Sequence, residues 1–142
     1  MGVHVVSRNN LQVELTAGRH RWLADEPDGL GDDTGPNPYQ LLLGALGACT
    51  AMTVQMYARR KGWPLEAVEV ELDTHKIHAR DCEDCESDPD TRVNIVALEL
   101  TLRGDLTPEQ LQRLEEIAGR CPVHRTLTTE TKIRTRLVPA TG

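Results

Sequence analysis

The chain contains no phenylalanine, and its aromatic residues are only Trp22, Tyr39, Tyr57 and Trp63. That leaves too few stacking platforms for single-stranded nucleic acid. Serine occurs only as Ser7 and Ser87, and neither sits in a G-x-S-x-G pattern, which excludes a hydrolase elbow. No G-x-G-x-x-G or Walker sequence is present, so no phosphate or dinucleotide chemistry is visible. Positive charge is also scarce: 16 Lys and Arg against 22 Asp and Glu give a net charge of −6. An acidic balance argues against a nucleic-acid partner, whose phosphates need a basic stripe. The opening MGVHVVSRNN has no basic stretch leading into an apolar one, so it is not read as a secretory signal, and the expected compartment is the cytoplasm.

The 142 residues suit one domain, 1–142, with room for a hydrophobic core. Hydrophobic residues make up 39%, more than a disordered chain carries. Val3–Leu23 reads as two or three short strands, with a turn at Asn9-Asn10 and a break at Gly18. Asp25–Pro38 is dense in Gly, Pro and Asp and reads as a loop. Tyr39–Ala58 carries no charge. Asn37 as cap, Pro38 in the first turn and Arg59-Arg60-Lys61-Gly62 at the far end bound it as a helix. Twenty uncharged residues can cross a bilayer. Gln40, Thr50, Thr53 and Gln55 dilute the segment, however, and favour a helix buried on nearly all sides in a soluble assembly, with no membrane partner.

Glu66–Asp73 alternates as a half-buried strand, with Val68, Val70 and Leu72 on one face. Arg80–Asp90 is an acidic loop. Arg92–Leu102 is a second strand whose apolar phase shifts near Val96-Ala97, the mark of a bulge. Thr107-Pro108-Glu109-Gln110 starts a helix that runs to Ala118. Cys121-Pro122 opens another short helical turn, and Thr131–Val138 reads as a closing strand.

Four cysteines in a cytoplasmic chain are expected as reduced thiols. Cys49 lies deep in the apolar helix. It is either a packed apolar residue or a reactive thiol. Reactivity there needs a break in the helix near Gly44 or Gly47, or a cation from Arg8, Arg19 or Arg21. Cys121 stands at a helix N-cap, with His124 and Arg125 close in sequence; it is either a simple cap or an activated thiol. His75, His78, Cys82 and Cys85 show the spacing of a zinc site. Asp81, Glu83, Asp84 and Glu86 oppose thiolate formation there and favour a divalent cation. A solvated loop, a zinc site and an accessory redox pair are the three readings of this segment.

GPNPYQLLLGALGACTAMTVQMYARRKGWPLE, followed some 70 residues later by CPVHRTL, resembles the OsmC/Ohr family of thiol peroxidases, most closely its short stand-alone OsmC-like branch. The resemblance implies an α+β fold in which two β-sheets wrap central helices in an intertwined homodimer with active sites at the interface. It implies reduction of organic hydroperoxides with Cys49 peroxidatic and Cys121 resolving. An arginine in an N-terminal strand completes the family's site, and it falls on Arg8 with Arg19 as the alternative. The expected partners are a small hydroperoxide and an external dithiol reductant, and no cofactor is required. One position departs from the pattern: Tyr39 stands where better-studied members carry a glutamate that pairs with the arginine, and a phenol is neutral at pH 7. The alternatives are a non-enzymatic dimeric module that binds a small ligand or senses redox state, and a metal-binding protein that uses residues 75–85.

Overall fold

The computed structural model describes residues 1–141 and forms two compact units with interleaved segments. The first comprises Met1–Gly47 and Leu72–Ala97, the second Ala48–Glu71 and Leu98–Gly142. Strands β1 (His4–Ser7), β2 (Val13–Ala17) and β3 (His20–Ala24) come first. Helix α1 (Pro38–Lys61), strands β4 (Leu65–His78) and β5 (Arg92–Gly104) and helices α2 (Pro108–Ala118) and α3 (Pro122–Thr128) follow. β4 and β5 form a two-stranded sheet, and both they and α1 contribute to each unit. This is the α+β architecture expected.

In the first unit β1, β2 and β3 make an antiparallel sheet with His4 opposite Thr16 and Val13 opposite Ala24. Its turns use left-handed backbone at Asn10 (φ 53°) and Gly18 (φ 58°), conformations that Asn and Gly adopt at low cost. Asp25 organises the loop that follows. Its buried carboxylate accepts N–H bonds from Glu26, Asp32 and Thr34 and a 2.7 Å bond from the Thr34 hydroxyl. The Thr34 hydroxyl, with the three N–H groups behind it, holds the Asp25 carboxyl below its usual range, against the opposing effect of burial. The Asn37–Gln40 pair opens α1 with a capping box: Gln40 N–H donates to Asn37 Oδ1 and Asn37 N–H to Gln40 Oε1, both at 2.9 Å.

In the second unit Val54 and Ala58 of α1 meet Leu114 and Ala118 of α2 in a buried cluster. Tyr57, Trp63, Leu65, Val68, Leu100, Leu102 and Leu106 pack around it. Tyr57 and Trp63 meet edge to face at 5.6 Å, and Arg113 donates to the Tyr57 hydroxyl at 3.0 Å. α2 carries the expected capping box between Thr107 and Gln110. The alternation of β5 changes phase between Ile95 and Leu98, as the apolar pattern foretells.

Within one chain the buried side of α1 is a single stripe containing Leu46, Thr50, Val54 and Ala58, while Met52 and Met56 are more than 60% exposed. The burial on nearly all sides expected of this helix belongs to an assembly, and by length and composition α1 could also cross a membrane. α1 runs unbroken through Gly44 and Gly47, which leaves a cation as the remaining route to a reactive Cys49. One expectation fails: residues 131–138 form no strand. They alternate correctly, but a strand needs a neighbouring edge for its N–H and C=O groups. Ile133 and Leu137 stay about 90% exposed (89% and 94%).

Candidate functional site

Cys121 is completely buried at the N-cap of α3. Pro122 follows at the first helical position, where its fixed φ and missing N–H cost nothing. The Cys121 sulfur accepts the His124 N–H at 3.2 Å, the expected capping geometry. It accepts a second hydrogen bond, at 3.7 Å, from the hydroxyl of Thr50, which is itself fully buried. Thr50 follows Cys49 directly in α1. The Cys-Pro turn therefore lies on the turn of α1 that carries Cys49, and both cysteines are free thiols. Cys49 is half-buried and stands twelve residues into an unbroken helix. The field of the helix end is confined to the first turn and does not reach that depth.

Sequence reading treats Thr50 only as a polar interruption of an apolar run. Its role has a signal nonetheless. A lone hydroxyl at the centre of a buried helical stripe needs a partner, and Cys121 provides one.

Beside Cys121 the second unit carries a groove of about 700 Å3. Leu98, Leu100 and Leu102 of β5 and Leu111 of α2 line it, together with Thr50 and His124. Both of these residues bond to the Cys121 sulfur.

The other predicted residues lie in the first unit. Arg8 follows β1, and its guanidinium pairs with Glu14 of β2 at 3.3 Å. Arg19 sits exposed in the turn between β2 and β3, Arg21 is exposed on β3, and Tyr39 is exposed in the first turn of α1. Cys82 and Cys85 are joined in a disulfide with a Cα separation of 5.5 Å, which corrects the expectation of four reduced thiols. The C-x-x-C turn already places the two Cα atoms within the range a disulfide spans. The loop is held by backbone bonds from Ala79 to Thr91 and from Cys82 to Ala79, and by the Arg80–Asp90 ion pair. The proposed zinc ligands do not all converge. His75 and His78 are exposed on β4, and the one cluster of convergent ligand atoms among the described residues is Cys82, Asp84 and Cys85.

The family model described as OsmC-like protein matches residues 31–136. Solved structures are similar over most of the chain. An organic hydroperoxide resistance protein OsmC from Legionella pneumophila is 21% identical with a TM-score of 0.62, covering 89% of this chain and 87% of that one. The organic hydroperoxide resistance protein OhrB of Bacillus subtilis is 19% identical with a TM-score of 0.60 and covers 89% of each chain. A protein from Psychrobacter arcticus, described as a putative osmotic stress induced and detoxification response protein, is 18% identical with a TM-score of 0.68, covering 87% of this chain and 85% of that one. No curated protein matches the sequence.

Proposed function

The chain belongs to the OsmC-like protein family, and we propose that it is a thiol-dependent peroxidase that reduces organic hydroperoxides in the cytoplasm as part of oxidative-stress defence. The observation that carries the reading is the Thr50–Cys121 contact, because it joins the Cys-Pro turn to the residue that follows Cys49 in α1. In the cycle, the Cys49 thiolate attacks the distal peroxide oxygen and the O–O bond breaks. One oxygen passes to sulfur as sulfenic acid, and the alkoxide leaves as an alcohol after taking up a proton. Cys121 then condenses with the sulfenic acid, releasing water and forming the 49–121 disulfide. An external dithiol restores both thiols by exchange.

The family resemblance assigns the positive charge that steadies the leaving alkoxide to Arg8, with Arg19 as the alternative. Glu14 is the acidic partner of Arg8, so a pairing that Tyr39 cannot provide comes from β2 instead. The leucine-lined groove suits the hydrocarbon part of an organic peroxide. The working form is a homodimer. Met52 and Met56 leave apolar surface on α1 for a second copy to cover.

The test is hydroperoxide consumption with a dithiol, wild type beside Cys49→Ser. Loss of a nucleophile typically costs roughly 10⁴–10⁶-fold in turnover, and the variant should fall to background. The groove also supports a second reading, a binding module for an apolar ligand. No turnover by the wild type, with saturable binding of such a ligand, selects that reading.

A further inference from the structure

We propose that reduction of the Cys82–Cys85 bond opens a binding site for a divalent cation of the zinc type, with Cys82, Cys85 and Asp84 as its protein ligands. The site is independent of the peroxide chemistry. The two sulfurs and a carboxylate oxygen of Asp84 all lie within 4.8 Å of one another, and Asp84 Oδ1 is 3.1 Å from Cys82 Sγ. On a tetrahedral zinc with Zn–S bonds of about 2.3 Å, two sulfurs sit roughly 3.8 Å apart. The 5.5 Å Cα separation accommodates that spacing without backbone rearrangement. The hairpin end is already braced by the Ala79–Thr91 backbone bond, so little ordering remains for the cation to impose. Three protein ligands leave one position for water.

The donor set decides the ligand class: two sulfurs and a carboxylate oxygen suit zinc. Asp81, Glu83, Asp84 and Glu86 flank the cysteines in sequence, and their negative charge favours a dication. The gate is chemical. An external dithiol gives two electrons and two protons to the bond and becomes a disulfide itself, leaving Cys82 and Cys85 as thiols. The cation then displaces both thiol protons. In the oxidised loop neither sulfur is available as a thiolate, and no such site exists.

The experiment uses the full chain, reduced with a phosphine under argon and titrated with Co²⁺, then Zn²⁺. The reduced wild type should take up one Co²⁺ per chain with a thiolate-to-cobalt absorption band that Zn²⁺ abolishes. The disulfide form and a reduced Cys82→Ser/Cys85→Ser variant should show no band. Cys49 and Cys121 remain in every sample and act as the internal control. Asp84→Asn should weaken binding at least as much as the roughly 10–100-fold that follows loss of a group merely supporting a ligand. His75→Ala/His78→Ala should bind as the wild type does. The site is overturned if the reduced wild type shows no band or the double serine variant keeps it. Equal binding by the disulfide form overturns the gate, and undiminished binding by Asp84→Asn removes Asp84 from the set.

Discussion

The four cysteines fall into two settings with opposite physics. Cys121 is sealed from solvent and accepts two hydrogen bonds, from Thr50 and from the His124 backbone. Cys82 and Cys85 sit half-exposed at a hairpin end among carboxylates and are bonded to each other. The acidic neighbours of the C-x-x-C pair already set it apart from a redox role in sequence, and the structure adds the bond between the two sulfurs. The hydroxyl of Thr50 that reaches Cys121 is what the sequence does not show.

The largest expected effect separates the two pairs by activity. Cys121→Ser should end multiple turnovers with a dithiol, and Cys49 should then advance to sulfinic or sulfonic acid, detected by mass spectrometry. Cys82→Ser/Cys85→Ser should keep its turnover. Opening so short a loop should cost about 2 kcal/mol of stability, measured by urea unfolding. Loss of activity in that variant while it remains folded would merge the two settings into one.

Leu114→Ala probes the frame behind Cys121. Leu114 is fully buried against Val54 and Ala58, so the truncation should cost about 2–5 kcal/mol, read by thermal or urea unfolding. Thr50→Val removes only the hydroxyl that reaches Cys121. Its cost should be about 0.5–1.5 kcal/mol, and the 49–121 disulfide should form more slowly after peroxide in quenched-flow alkylation. An unchanged rate would reduce Thr50 to a packing residue.

The smallest effect is a pH dependence in the first unit. The Asp25 carboxyl is held below its usual value by Thr34 and the loop N–H groups. Its contribution is therefore complete above the unfolded pKa of about 3.9 and is lost as pH falls through the lower folded value. Wild-type stability should drop across that acidic window, and Asp25→Asn should flatten the drop. The cysteine loop, whose hairpin does not rest on Asp25, should retain its disulfide throughout.

Much of the fold is legible because local signals agree. The N-terminal strands, the capped apolar helix, the two alternating strands and the Thr107 capping box each need only neighbours in sequence. What fails depends on partners far along the chain. Residues 131–138 have strand alternation, but no edge pairs with them. The uncharged length of α1 does not reveal which stripe, through Leu46, Thr50, Val54 and Ala58, is buried within one chain. At the site, the N-cap role of Cys121 is visible in Cys-Pro, because capping is local. The Thr50 contact spans 71 positions and is not. The histidines of the C-x-x-C segment mislead for the same reason: spacing places His75 and His78 near the cysteines in sequence, yet both lie on β4 outside the convergent cluster.

The central claim is that Cys49 and Cys121 act as one redox pair. Peptide mapping of the wild-type chain after one equivalent of an organic hydroperoxide tests it most directly. The account predicts a 49–121 linkage within a single chain, with the 82–85 linkage unaffected. An untouched Cys49, with oxidation confined to residues 82–85, would contradict it and leave Cys49 as a packed helical residue.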